Sequence, residues 1–121
     1  MKIICSVYHN PHFITITEYI EKAISNLGHQ LIVFDDRNHI IPGRIRRRIS
    51  CLHHLDLQYI NRTFNKLVSK TNPNVAIVTG GHRIVAKTVK RLNENGIQTA
   101  LWTIDAPTNF EPILKVAPYY D

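Results

Sequence analysis

The chain has 121 residues, 44% of them hydrophobic and 20% charged, with 15 Lys and Arg against 9 Asp and Glu. That is room for one domain, with enough apolar residues for a core that needs no metal or disulfide, and too many for a disordered chain. The net charge of +6 leaves nucleic acid, anionic lipid surfaces and phosphate-bearing ligands open as partners, and no apolar run approaches the roughly 20 residues of a transmembrane helix.

Lys2 to Val7 reads as a short buried strand. Tyr8-His9-Asn10 follows it far too early for the apolar region of a secretory leader. Asn10-Pro11 is expected to open a helix, with Asn10 as cap and Pro11 at the first helical position. Ile16, Ile20, Ala23, Ile24 and Leu27 recur at helical spacing, and Gly28 ends the run. Gln30 to Asp35 is the second strand, followed by a polar tract from Asp36 to Gly43.

From Arg44 a short amphipathic helix is predicted, with Ile45, Ile49 and Leu52 on one face and the arginines on the other. A longer helix runs from about Asp56 to Lys70, with Leu57, Ile60, Phe64, Leu67 and Val68 as its buried stripe, and Asn72-Pro73 ends it. Val75 to Thr79 is the third strand. Gly80-Gly81 turns, Val85, Val89 and Leu92 mark a helix, and Ile97 to Ile104 is the fourth strand. Asn109 to Val116 begins one more helix. Ala117 to Asp121 reads as the lead-in to a fifth strand, as in a fragment of a longer protein.

The order β-α-β-α-α-β-α-β-α implies an α/β fold, a Rossmann-like three-layer α/β/α domain with a parallel sheet of about four strands. The strands are apolar runs without clean alternation, as in sheets covered on both faces. The expected arrangement places the first strand centrally, between the second and the third.

Open parallel sheets bind ligands beyond the carboxyl ends of their strands. Here those ends read Tyr8-His9-Asn10, Asp35-Asp36-Arg37, Gly80-Gly81-His82-Arg83 and Asp105-Ala106-Pro107-Thr108-Asn109. The amino ends carry little beyond Gln30, Asn74 and Gln98. His9, Asn10 and His12 are placed beside a helix start, which favours an anion. Gly80 and Gly81 let backbone amides approach a ligand, but the tract is neither of the common phosphate-binding glycine motifs. Asp105 stands at a strand tip, where a carboxylate can take a proton from a hydroxyl or orient a histidine that does. Trp102 reads as core or cleft wall, or as a platform for a sugar or base.

No metal site is expected. His9-x-x-His12, His82 and Asp105 share no zinc spacing. Cys5 and Cys51 read as free thiols in a reducing compartment, hence a cytoplasmic address. Arg44, Arg46, Arg47 and Arg48 form the densest basic run, either a solvated face or a dock for an anionic surface. No nucleic-acid motif accompanies them.

Tyr8-His9-Asn10-Pro11-His12-Phe13, Phe34-Asp35-Asp36-Arg37, Pro42-Gly43-Arg44-Ile45-Arg46, Gly80-Gly81-His82-Arg83-Ile84 and Leu101-Trp102-Thr103-Ile104-Asp105-x-Pro107-x-Asn109-Phe110 together resemble the amino-terminal portion of the CgeB-type spore-maturation glycosyltransferases. The resemblance implies the amino-terminal half of a GT-B architecture, in which two Rossmann-like domains face each other across a cleft. This half chiefly receives a glycan or other acceptor. A separate domain, missing here, grips the nucleotide-sugar donor, so the chain alone is expected to be inactive. No cofactor is implied.

On this reading Asp105, His9 and His82 are candidates for the base that deprotonates the acceptor, in that order. Asn10, His12, Gly80, Gly81, Arg83, Trp102 and Asn109 are candidates for binding. The alternative is a standalone Rossmann-like module that binds a nucleotide or sugar phosphate.

Overall fold

A computed structural model describes residues 1–37, 42, 48–80, 82–103 and 110–121. It contains β1 (Lys2–Val7), α1 (Ile16–Asn26), β2 (Gln30–Asp35), α2 (Ser50–Thr71), β3 (Val75–Thr79), α3 (Ala86–Glu94), β4 (Gln98–Trp102) and α4 (Phe110–Val116), closed by a 3-10 turn at Ala117–Tyr119. The four strands form one sheet in the order β2-β1-β3-β4. All three pairings are parallel: Cys5 lies opposite Val33 and Ile77, and Ile77 opposite Ala100. The domain is thus α/β and Rossmann-like, with β1 between β2 and β3 as the sequence leads one to expect.

Alternation along the strands divides the core in two. Ile4, Phe34, Ala76 and Val78 meet Ile60, Phe64 and Val68 of α2 and Val89 and Leu92 of α3. The rings of Phe34 and Phe64 pack edge to face with centroids 5.1 Å apart. Ile3, Cys5 and Val7 point the other way, onto Ile24 of α1.

The helix ends depart from expectation in two places. α1 begins at Ile16, six residues beyond Asn10. Thr15 is its cap, accepting from the Thr17 amide, while the Glu18 carboxylate accepts from the Thr15 amide at 2.6 Å. This reciprocal box satisfies two orphan donors and outcompetes a start at Asn10. The Thr15 hydroxyl, which donates to the Glu18 carboxylate at 2.7 Å, and the Thr15 amide together hold the Glu18 carboxyl below its ordinary pKa. Asn10 instead accepts from the His12 amide at 2.9 Å, closing a local turn.

On the second correction, Ile49 is extended, with φ −128° and ψ 102°, so the expected short helix does not run through it. α2 starts at Ser50 and takes in Leu52 and Asp56 as one 22-residue helix. Arg44, Arg46 and Arg47 lie outside the described residues, and Arg48 sits in a turn, exposed.

Ala117 to Asp121, which reads in the sequence as the lead-in to a strand that never arrives, packs back on the domain. The 3-10 turn brings Tyr119 and Tyr120 against the α2–α3 core. Asp121 donates its amide to the Thr99 carbonyl at 3.2 Å, and its carboxylate accepts from the Thr99 amide at 2.8 Å. Among the described residues no helix is long and apolar enough to cross a membrane.

Candidate functional site

In this strand order the chain leaves β1 for β2 on one side and returns to β3 on the other. The loops after β1 and β3 therefore diverge, and a crevice opens between them. A pocket of about 230 Å³ occupies that place. Its lining comes from every strand tip: Tyr8 after β1, Asp36 and Arg37 after β2, Gly80, His82 and Arg83 after β3, and Trp102 at the end of β4. Thr15, Ile16 and Thr17 at the head of α1 complete it.

Local bonds hold these tips in place. The Thr17 hydroxyl donates to the Tyr8 carbonyl at 3.1 Å, tying the start of α1 to the exit of β1. The Thr79 hydroxyl donates to the Ser6 carbonyl at 3.1 Å across the β1–β3 crevice. The Gly80 amide continues the ladder to the Trp102 carbonyl at 3.0 Å. Its φ of +79° then turns the chain out of the sheet, a conformation that costs a residue with a Cβ. The Arg37 guanidinium lies 3.9 Å from the centre of the Tyr8 ring, in cation–π range.

The group that sets the pocket apart is Asp36. Only 4% of it is exposed. Its carboxylate accepts from the Ser6 hydroxyl at 3.2 Å, and its carbonyl accepts a long bond from Arg83 Nη1 at 3.5 Å. Loss of water pushes its pKa up to about 6, against the pull of the Arg83 charge, the Ser6 hydroxyl and the Arg37 charge. Burial, with the nearby Asp36 charge, also raises the pKa of the Tyr120 hydroxyl. A carboxylate that titrates near neutrality inside a cleft can exchange a proton with a bound hydroxyl. The neighbouring guanidinium groups and the half-exposed indole supply anion and ring-face contacts.

The candidates named from sequence divide into three groups. His82, Gly80, Arg83 and Trp102 come together around this pocket, with His82 Nδ1 3.3 Å from the Gly80 carbonyl. His9, Asn10 and His12 do not line it. His9 Nε2 is 2.9 Å from Glu21 Oε1 on α1, and Asn10 and His12 share their own turn. Gly81, Asp105 and Asn109 lie outside the described residues.

Comparison with protein-family models, with curated proteins and with solved structures finds no match for this chain. The chemistry of the pocket therefore rests on its own groups. Sequence reasoning placed Tyr8 and Asp36 at the strand tips without naming them among the candidate site residues, and it passed over Ser6 and Thr79. The available signal was the Asp35-Asp36 pair at a strand tip. Asp36 stands one residue past β2, where the strand's alternation continued would place it on the same side as the buried Phe34 and Asp35 on the other. Asp35 is the exposed one and caps its own turn, accepting from the Arg37 amide at 2.8 Å. Among the described residues no three His, Cys, Asp or Glu side chains gather to hold a metal ion.

Proposed function

We propose that this chain is the acceptor-side, Rossmann-like unit of a GT-B glycosyltransferase, and that the pocket at the β1–β3 switch receives the sugar hydroxyl to be glycosylated. One observation carries the reading: a buried carboxylate near neutral pKa, Asp36, lines the same crevice as Arg83, His82 and the Trp102 indole. Sugars are bound by this combination, ring faces on an aromatic side chain and hydroxyls on charged or polar groups. The resemblance to the CgeB-type enzymes points the same way.

In the reaction the acceptor oxygen bonds to the anomeric carbon of a nucleotide sugar as the bond to the departing nucleotide phosphate breaks. The hydroxyl proton passes to the Asp36 carboxylate, whose pKa suits a base at neutral pH. Asp105 and His82 remain further candidates for this step. The donor is held by a separate domain. A cytoplasmic setting fits the two free thiols, Cys5 buried and Cys51 exposed.

The chain has one tryptophan, so its fluorescence reports on the pocket directly. Titration with neutral oligosaccharides is expected to change the Trp102 emission in a saturable way, and Asp36→Asn to weaken that response. Tight binding of sugar phosphates or nucleotides at Trp102, with neutral sugars silent, would replace this reading with the standalone binding module. Silence toward every ligand would remove the pocket as a site.

A further inference from the structure

A second cavity, of about 440 Å³, lies between α2 and α3 on the outer side of the sheet and is larger than the rim pocket. α2 contributes His54, Gln58, Arg62 and Asn65, one polar stripe at helical spacing. α3 contributes Lys87, Thr88 and Arg91. Leu57 and Val85 add apolar surface. The lining holds three cationic side chains and no acid. Arg62, Lys87 and Arg91 are exposed, and none of them forms an ion pair among the described residues.

The buried part of this wall is already internally bonded. Asn61 donates to the carbonyls of Leu57 at 2.8 Å and Arg83 at 2.9 Å. It accepts from the Val85 amide at 3.0 Å and the Thr88 hydroxyl at 2.8 Å. Its donors and acceptors are spent on holding α2 against α3. What remains for a ligand is an apolar patch with a ring of cations and the Gln58 and Asn65 amides around it.

Converging cations without an acid create a positive potential that an anion relieves. Guanidinium groups match phosphate oxygens in paired hydrogen bonds. A concave site of this volume falls in the range of roughly 300–1,000 Å³ that suits a small organic ligand, and it is the wrong shape for a flat bilayer. We propose that the α2–α3 groove binds a phosphate monoester of about mononucleotide size. Its phosphate sits among Arg62, Lys87 and Arg91, and its organic part lies over Leu57 and Val85. The site is separate from the rim, although the two share a wall: the Arg83 side chain lines the pocket while Asn61 holds the Arg83 carbonyl from the groove side.

Adenosine 5′-monophosphate is the probe, followed on the 121-residue chain through backbone amide signals. Saturable shifts are expected at Gln58, Arg62, Lys87 and Arg91, and adenosine without the phosphate should leave them unmoved. Lys87→Glu with Arg91→Glu should weaken binding by about tenfold or more. Should that pair unfold the chain, Arg62→Gln serves instead, with a smaller loss. Equal binding of adenosine, undiminished affinity in the variants, or shifts confined to Gly80, His82 and Trp102 would overturn the proposal. So would binding of a single-stranded oligonucleotide with the monophosphate silent, which would make the groove a nucleic-acid surface. The rim reading stands or falls separately, on Trp102.

Discussion

Against α2 and α3 the sheet buries Ile4, Phe34, Ala76 and Val78 under Ile60, Phe64, Val68, Val89 and Leu92. Against α1 it buries only Ile3, Cys5 and Val7 under Ile24, with Ile20, Leu31, Val75 and Ile77 half-covered. One face carries two helices and the docked Tyr119 and Tyr120. The other carries the 11-residue α1. The consequence shows on β4. Thr99 points into the α3 side and bonds Asn93, so Gln98, Ala100 and Trp102 point to the other side, where all three are exposed. The thick face buries the larger apolar set and has an outer surface rich in cations. The thin face leaves Ile16 and Trp102 open to a ligand at the rim.

The hardest test of this contrast is a pair of truncations. Phe64→Ala, at a fully buried position, is expected to cost about 4 kcal/mol. Ile24→Ala, on the thin face, should cost about 2 kcal/mol, because a shallow site relaxes more easily. Urea unfolding measures both. Equal losses would mean that the two cores bear equal weight.

The next effect runs in the opposite direction. The pKa of Asp36 in the folded chain, about 6, lies above its ordinary 3.8. The stability of the neutral form is therefore fully present below about pH 4 and lost as pH rises through about 6. Asp36→Asn removes that loss. At about pH 7.5 the variant should be more stable by about 3 kcal/mol, and the gain should vanish below about pH 4. A gain in stability joined to a weaker Trp102 response would mark Asp36 as a residue kept for function.

Thr15→Ala should cost about 1 kcal/mol, by removing the α1 cap. The loss should be largest at neutral pH and shrink as Glu18 is protonated, because the Thr15 hydroxyl also donates to the Glu18 carboxylate and holds its pKa down; at neutral pH its sign is opposite to the gain expected of Asp36→Asn. The smallest effect concerns reactivity. Burial pushes the Cys5 thiol up to about 11, with the Glu21 charge adding to it, whereas Cys51 is exposed. A thiol reagent should modify Cys51 alone in the native chain and reach Cys5 only on unfolding. Fast labelling of Cys5 would show that the thin core opens readily.

Much of the fold was legible in the residues themselves. Strands β1 to β3, the Gly28 and Asn95-Gly96 stops and the central place of β1 follow from apolar runs, turn residues and the rules of parallel connection. Helix starts were less legible. Asn10-Pro11 and Thr15-x-x-Glu18 are both valid openings, and the second wins because it satisfies two backbone amides instead of one. Leu27 fits the apolar period of α1 yet stands exposed as its C-cap, since the helix has already ended.

By itself the sequence determined the periodicities, and with them the element types, the parallel sheet and the polar rim at the carboxyl ends of its strands. Only the tertiary structure decided which carboxylate of Asp35-Asp36 is buried, that His9 turns to Glu21, and that α2 and α3 enclose a basic groove. The physical reason is that burial and charge proximity depend on groups distant in the chain. Ser6 meets Asp36, and Asn61 meets Arg83, only once the sheet has brought them together.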